Sequence, residues 1–185
     1  MQRFINGLGY GGERHILDLG PISGSTSMCI GQLGHHAHFA DLATSCERAR
    51  EQLTRADGMT SPSAVDRFVR GILNYPARSF DGVLAWDVLQ QLEKPGMHSV
   101  LDQLLRILRP DSRVHCIFQP NTGTGTPALR YGLTSERSFS AARAHDRVLA
   151  QQVSLKDLET IFSQFHSLCI FLRRQGGFLE VLVSS

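Results

Sequence analysis

The amino-acid sequence predicts an α/β fold in which a mostly parallel sheet is covered by helices on both faces. Two patterns support this class. Short apolar segments typical of strands alternate with segments whose apolar residues recur at helical spacing, and the chain ends in two strand-like segments around a glycine turn. The second pattern adds an antiparallel hairpin to the sheet. With 185 residues, the chain is expected to form one domain over residues 1–185.

The composition is ordinary for a soluble globular protein, with 42% hydrophobic and 19% charged residues. A net charge of +2 does not indicate nucleic acid or a membrane as a partner. The four cysteines are widely separated and form no C-x-x-C pair, which favours reduced thiols. Because the N-terminus has no signal-peptide pattern and no apolar segment approaches about 18 residues, we expect a cytoplasmic protein.

The first half of the chain is predicted to form strand–helix units after an irregular, glycine-rich segment at residues 1–12. Each apolar strand segment is followed by a segment that begins with residues typical of helix starts. The expected elements are a strand at 15–20, a helix at 24–33, a strand at 35–42 and a helix at 43–53. Residues 61–79 leave two possibilities open, an amphipathic helix or a short third strand before the turn at Pro76.

The second half contains the clearest local patterns. Residues 80–89 are typical of a buried strand, and apolar residues at helical spacing follow until Pro110 breaks the helix. The remaining expected elements are a strand at 113–118, a helix at 154–165 with Ser154 as N-cap, and the terminal hairpin. Residues 120–153 are rich in Gly, Thr, Ser and Arg with little periodicity, which is typical of a functional insertion or a disordered segment.

The turn after the first predicted strand, GPISGS at residues 20–25, lies where α/β proteins bind ligands, at the carboxyl end of a strand. Gly20 and Gly24 permit close backbone approach, and the helix that follows directs free N–H groups toward the turn. The dinucleotide fingerprint G-x-G-x-x-G fails because Ile22 and Ser25 replace glycine, and no Walker-type lysine follows. The turn therefore favours a ligand that has no phosphate here but carries a charged amino-acid tail.

Two acidic residues lie near the ends of the first two predicted strands. Asp41 lies 23 positions after Asp18, close to the spacing at which an acidic residue binds ribose hydroxyls, and a carboxylate accepts two hydrogen bonds from a vicinal diol. Two alternatives remain open. Asp41 is also a suitable helix N-cap, and Asp18 is also suited to stabilise the turn as a buried carboxylate.

Four segments in order resemble the class I S-adenosylmethionine-dependent methyltransferases: ILDLGPISGS, HFADL, SFDGVLAWDVLQQL and LDQLLRILRPDSRVHCIF, within residues 14–119. The most specific element is FDGVLAWDVLQQL followed by LLRILRPDSR, and the terminal hairpin is similar to that family's last two strands. The resemblance implies a three-layer Rossmann-like sandwich with a mostly parallel seven-stranded sheet. It also implies S-adenosylmethionine as the cofactor and methyl transfer to an acceptor, which we expect to be a small molecule.

The resemblance also implies which residues would contact the cofactor. They are Asp18, Gly20, Pro21, Ile22 and Gly24 toward the methionine part, Asp41 at the ribose, Leu42, Leu73 and Asn74 toward the adenine, and Ala85, Trp86 and Asp87 at the wall near the sulfonium. This sequence departs from the family pattern at two places. Ile22 replaces the second glycine of the turn, and the acidic residue expected between Val69 and Tyr75 is missing, which leaves Asn74 as the nearest polar side chain.

The acceptor site is expected at residues 120–153, because this family places substrate-facing insertions or lids after the fifth strand. Arg130, Tyr131 and Arg147 are candidate contacts to the acceptor, and His145 is the candidate general base. No metal site is expected. In HHAH at residues 35–38, strand alternation puts only two of the histidines on one face, with no cysteine or carboxylate cluster beside them.

Two other functions remain open. The altered turn and the missing adenine-side acid are compatible with a catalytically degenerate, methyltransferase-like binding or scaffold module. A nicotinamide-dependent oxidoreductase is disfavoured by the failed fingerprint and by the terminal hairpin.

Overall fold

A computed structural model describes residues 1–8, 12–42, 44–45, 62–119, 125–173 and 177–185, without the side chains of residues 62–63 and 145–146. The described helices are α1 (Gln2–Gly7), α2 (Gly24–Gln32), α3 (Pro62–Ile72), α4 (Val88–Gln91), α5 (Lys94–Ile107) and α6 (Leu155–Ile161). The described strands are β1 (His15–Asp18), β2 (His36–Phe39), β3 (Phe80–Trp86), β4 (Leu108–Phe118), β5 (Pro127–Ser135), β6 (Ser138–Val148), β7 (Ser167–Leu172) and β8 (Leu179–Ser184). None of these helices is long and apolar enough to cross a membrane.

The main sheet has six described strands in the order β2-β1-β3-β4-β8-β7. Strands β1 to β4 run parallel, whereas β8 runs antiparallel to both β4 and β7. The α/β class and the C-terminal hairpin are therefore confirmed, with Ser167 opposite Ser184 and Leu172 opposite Leu179. The sheet is mixed, and the predicted seventh strand is not found among the residues that the structure describes.

The segment in which helix and strand were both open forms helix α3. Val65 and Val69 of α3 and Leu73 just beyond its end recur at helical spacing, and Val69 and Leu73 are fully buried in the main hydrophobic core. A Cβ atom at Gly96 of α5 would lie 3.4 Å from Val65 Cγ1, so α3 packs closely against α5. The helical spacing of these apolar residues thus matches the packing of α3 against α5. The predicted helix at 43–53 lies largely outside the described residues.

Residues 2–7 form helix α1, so the prediction of an irregular N-terminus is wrong. Phe4 is fully buried, and Ile5 and Leu8 are nearly so. At Gly82 of β3, a Cβ atom would lie only 2.9 Å from both Phe4 Cζ and Leu8 Cδ2. The missing side chain at Gly82 therefore leaves the space in which α1 packs on the sheet. Such a long-range contact is invisible to local periodicity.

The ends of the later helices follow the predicted signals. Helix α6 begins at a capping box, in which Ser154 Oγ accepts from the Asp157 backbone N–H at 3.3 Å and Asp157 Oδ2 accepts from the Ser154 N–H at 2.8 Å. Helix α5 ends at Ile107, before the predicted break at Pro110. The chain then passes directly into β4 at Leu108.

Residues 127–148 form a two-stranded antiparallel sheet, which we call the β5–β6 ribbon. The ribbon lies within the segment predicted as an insertion or a disordered region, and its described part is regular. Among the described residues it forms no ladder with the main sheet; instead, β5 packs on α2. Its position relative to the main sheet is therefore set by side-chain packing and individual hydrogen bonds.

The buried side chain of Gln90 joins the chain segments on both sides of the ribbon. Gln90 Oε1 accepts from the Gln119 N–H at 2.8 Å, and Gln90 Nε2 donates to the backbone oxygens of Gln119 at 2.8 Å and Gln151 at 3.2 Å. Gln90 is fully buried. The side-chain amide of Gln90 thus binds the chain segments that precede and follow the ribbon.

Replacing Gln90 with leucine is expected to lower the free energy of unfolding by about 2 kcal/mol, because it leaves backbone donors and acceptors without partners in a buried place. Urea unfolding followed by circular dichroism would measure the loss. Gln164→Leu, at an exposed position, is the matched control and is expected to change stability little. Equal effects of the two substitutions would contradict this role of Gln90.

Candidate functional site

The carboxyl ends of three neighbouring parallel strands meet at one edge of the main sheet. Asp18 is the last residue of β1 and lies opposite Phe39 of β2 and Leu84 of β3. Asp41 follows β2, and Trp86 ends β3. Residues far apart in the sequence are thereby brought to the place where α/β sheets bind ligands.

Asp18 is a buried carboxyl group with one oxygen bonded and the other without a partner. Asp18 Oδ1 accepts from the Gly20 backbone N–H and from Trp86 Nε1–H, each at 2.8 Å. Asp18 Oδ2 is buried and has no hydrogen-bond partner among the described residues. Burial raises the pKa of Asp18 to about 7; the nearby Asp41 charge acts in the same direction, and the two hydrogen bonds oppose the shift. A ligand that donates to Oδ2 would relieve the cost of this burial.

Asp41 lies just beyond β2 with φ of 41°, a conformation that is uncommon for a residue with a side chain. Its backbone oxygen accepts from the Ser45 N–H at 3.1 Å, so it stands where a helix N-cap would stand. Its Oδ1 atom is buried with no hydrogen-bond partner among the described residues. The N-cap alternative therefore stays open beside ligand binding.

The turn between β1 and α2 is shaped by close contacts rather than by its isoleucine. Ile22 is 80% exposed and does not fill the turn. A Cβ atom at Gly20 would lie 3.1 Å from Asp18 Oδ1 and 3.2 Å from Trp86 Cδ1, so the indole lies directly against the Gly20 backbone. Helix α2 is capped by Ser23, whose Oγ accepts from the Thr26 N–H at 3.3 Å.

Trp86 forms the wall of this site and stacks on the β5–β6 ribbon. It is almost completely buried, with φ of 49°. The Tyr131 ring lies parallel to the indole, with 5.2 Å between ring centroids and 2° between planes. Phe139 of β6 contacts both rings, at 5.7 Å from Trp86 and 5.8 Å from Tyr131. An aromatic group therefore closes the site on the ribbon side.

Asp87 fastens the ribbon to the main body of the protein. Its Oδ2 accepts from the Leu129 N–H at 3.0 Å, from Gln119 Nε2 at 3.2 Å and from the Tyr131 hydroxyl at 3.4 Å. Its Oδ1 accepts from Gln91 Nε2 at 2.7 Å. Burial raises the pKa of Asp87, while these donors and the Arg147 charge oppose the shift. The carboxylate is thus already well supplied with protein donors.

The other predicted site residues have different environments. Leu42 and Leu73 are fully buried in the main core, and Ala85 is buried within β3. Asn74 and Arg130 are exposed, and Pro21 is partly exposed. Arg147 is only 6% exposed. Position 145 lies on β6, and the His145 side chain is outside the described residues.

Sequence analysis missed the contact between the ribbon and the first turn of α2. The Leu133 backbone N–H donates to Thr26 Oγ1 at 2.9 Å. A Cβ atom at Gly132 would lie 2.6 Å from Ser25 Oγ and 2.9 Å from Ser23 Oγ. The available signal was Gly132 itself, because a lone glycine within a strand often marks close approach of another part of the chain.

A histidine cluster lies on β1 and β2. His15 Nδ1 is 3.0 Å from His38 Nε2, and the His15 ring stacks on the His36 ring with centroids 5.1 Å apart. His36 and His38 thus share a face, as strand alternation requires. Within the described part of the chain, no group of three or more His, Cys, Asp or Glu residues has the arrangement of a metal site.

Comparison with known proteins identifies the fold. No protein-family model and no curated protein matches the sequence. A methyltransferase dependent on S-adenosylmethionine (SAM) from Archaeoglobus fulgidus matches with a TM-score of 0.59 and 11% identity, covering 100% of this chain and 90% of that chain. A SAM-dependent methyltransferase from Methanosarcina mazei matches with a TM-score of 0.51 and 15% identity, covering 93% and 91%.

A third similar structure is the 1,6-didemethyltoxoflavin-N1-methyltransferase of Burkholderia thailandensis, solved with 1,6-didemethyltoxoflavin and S-adenosylhomocysteine. It matches with a TM-score of 0.53 and 17% identity, covering 94% of this chain and 71% of that chain. At these identities the likeness concerns the fold, a Rossmann-like α/β sandwich.

Proposed function

We propose that this chain, which has the Rossmann-like fold of SAM-dependent methyltransferases, binds SAM and transfers its methyl group to a small-molecule acceptor. The observation that carries the proposal is a pair of carboxylates at the ends of adjacent strands, each with a buried oxygen that has no hydrogen-bond partner in the described part of the chain. These atoms are Asp18 Oδ2 and Asp41 Oδ1. A ligand with donor groups at two points would satisfy both.

The residues at this edge fit the chemical groups of SAM. Asp18 would accept from the ammonium group of the amino-acid end, and Asp41 from the ribose hydroxyls. The turn at Gly20 and the N-terminal turn of α2 offer backbone N–H groups and a positive dipole end to the carboxylate. The face of Trp86 is suited to a cationic sulfonium. Leu42, Leu73 and Asn74 stay our proposal for the adenine side.

When bound, SAM supplies a methyl group that is already activated by its sulfonium. The work left to the chain is to hold donor and acceptor in line and to exclude water. Trp86 and Tyr131 are buried and Phe139 is partly buried against them, and these rings suit that task. A proton acceptor is needed only if the acceptor atom must lose a proton; His145 stays our candidate for that role.

We place the acceptor beside residues 120–153, the proposed substrate-side insertion, where Arg130 and Tyr131 would contact it. The small-molecule class is supported by the 1,6-didemethyltoxoflavin bound to the Burkholderia thailandensis enzyme. The free thiols of Cys29, Cys116 and Cys169 support our proposal of a cytoplasmic setting.

Calorimetric titration with S-adenosylhomocysteine tests the proposed function. We expect micromolar binding by the wild type and at least a tenfold weaker affinity for Asp41→Ala, or about 1.4 kcal/mol, because the ribose hydroxyls lose their acceptor. Glu159→Ala, at an exposed position on α6, is the control and should bind like the wild type. Absence of heat with a folded wild type would refute the proposal, and tighter binding of NAD would favour an oxidoreductase.

A further inference from the structure

The β5–β6 ribbon lies beside surfaces that the proposed function assigns to the amino-acid end of SAM. It contacts the first turn of α2 directly, and it reaches the Gly20 backbone and Asp18 only through Trp86. Trp86 covers Gly20, and Tyr131 of the ribbon covers Trp86. Gly132 and Leu133 of the ribbon lie on α2.

The contact between the ribbon and α2 leaves no layer of space for a ligand. A single added carbon at Gly132 would already be 2.6 Å from Ser25 Oγ, well inside van der Waals contact. Leu133 N–H donates directly to Thr26 Oγ1, and this bond is buried. A carboxylate placed beside Ser25 and Thr26 would therefore overlap the backbone of β5, whereas Gly24 at the start of α2 is exposed.

The ribbon also leaves no space for a ligand on the stacked face of the Trp86 indole. Trp86 Nε1–H is bonded to Asp18 Oδ1 on one side of the site, and the Tyr131 ring lies parallel to the indole. The Tyr131 hydroxyl reaches Asp87 Oδ2 at 3.4 Å, a weak distance for a hydrogen bond. A ligand that uses the stacked face of Trp86 must replace Tyr131.

The ribbon can move without breaking the main sheet. It is a separate two-stranded sheet, and such ribbons depend on their packing surface for stability. The chain on both sides is held by Gln90, which supplies fixed points about which the ribbon could swing. Displacement would cost the Tyr131 stack and the bonds from Leu129 and Leu133.

We propose that the β5–β6 ribbon is a displaceable cap, which covers the amino-acid end of the donor site through Tyr131 and Gly132 and must lift before SAM can bind. The proposal rests on the proposed function. Because only the lifted state binds, the apparent affinity is reduced by the fraction of molecules in that state. Substitutions that weaken the cap therefore tighten donor binding.

The test compares S-adenosylhomocysteine affinity in the wild type and two variants that weaken the cap by different means. Tyr131→Ala removes the stack on Trp86, and Gly132→Val pushes β5 away from α2. Both are expected to bind roughly fivefold tighter or more. Arg143→Ala, at an exposed position on β6, is the control and should match the wild type. Thermal unfolding establishes that each variant is folded.

Hydrogen exchange in the wild type gives a second readout. Addition of S-adenosylhomocysteine should accelerate exchange of the Leu129 and Leu133 amides, because their bonds to Asp87 and Thr26 open when the cap lifts. Trp86 is the only tryptophan in the chain, so its fluorescence should change in the same titration. The Tyr131→Ala variant should show this altered environment before ligand is added.

The possible outcomes separate the cap from the function. Weaker or unchanged affinity in both variants, or slower exchange of the two amides with ligand, would overturn the cap while leaving the donor site intact. Tighter binding by both variants than by the wild type would support the cap. If the wild type and both variants are folded and none binds, the proposed function fails, and the cap fails with it.

Discussion

Asp18→Asn is expected to weaken S-adenosylhomocysteine binding by about 100-fold, or ~2.7 kcal/mol, while stabilising the ligand-free protein above pH 7. The loss of binding follows from removal of the charge that would pair with the ligand ammonium. In one of its orientations, an asparagine would also present an N–H donor at the place of Asp18 Oδ2, which has no hydrogen-bond partner within the described ranges. The substitution weakens binding but stabilises the fold, because the buried charge of Asp18 would favour the ligand and destabilises the folded protein.

The gain in stability follows from proton linkage. Burial raises the pKa of Asp18 from 3.8 to about 7, so the folded protein binds more protons than the unfolded chain between these values. The contribution of Asp18 to the free energy of unfolding is fully present below about pH 4 and is lost as the pH rises through 7. A shift of this size corresponds to roughly 4 kcal/mol, so Asp18→Asn should gain on the order of 2 to 4 kcal/mol above pH 7.

Thermal and urea unfolding from pH 4 to pH 8 would measure this gain, which should shrink toward pH 4. Asp102→Asn, at an exposed position on α5, is the control. In the wild type, S-adenosylhomocysteine affinity should fall as the pH drops below 7, because the ionised form of Asp18 is needed. A variant that binds normally would exclude Asp18 from the site, and a stability difference independent of pH would contradict the raised pKa.

Phe4→Ala is expected to lower the free energy of unfolding by about 3 to 5 kcal/mol, as for other large-to-small substitutions in cores. Phe4 is fully buried and anchors α1 on the sheet beside Gly82. Urea unfolding would measure the loss, with Gln2→Ala at an exposed position as the control. A loss below about 1 kcal/mol would show that α1 contributes little to the fold.

A double substitution makes the test specific for the contact. Gly82→Ala alone should destabilise, because its methyl group would lie 2.9 Å from Phe4 and Leu8. In a chain that already carries Phe4→Ala, the same methyl group meets less resistance, so the two costs should not add. Strict additivity would show that Phe4 and Gly82 do not act through each other.

Local sequence patterns were sufficient for elements whose partners are near in the chain. The apolar segment at β3, the helical spacing in α5 and the capping box of Ser154 each predict their element because the controlling contacts lie within a few residues. The order of alternating elements then predicts a parallel sheet, and the terminal pair predicts its antiparallel edge. The acidic residues Asp18 and Asp41 could be predicted as ligand contacts because each lies near the end of a predicted strand, where α/β proteins bind ligands.

Patterns within the sequence could not predict contacts between distant segments. Helix α1 exists because Gly82 leaves space for Phe4, and the β5–β6 ribbon has its position because Trp86, Asp87 and Thr26 receive it. The energies of such contacts depend on distances of a few tenths of an ångström, which periodicity does not encode. The order of helices and strands along the chain could therefore be inferred from the sequence, whereas the packing of the ribbon on Trp86, Asp87 and α2 was decided only by the tertiary structure.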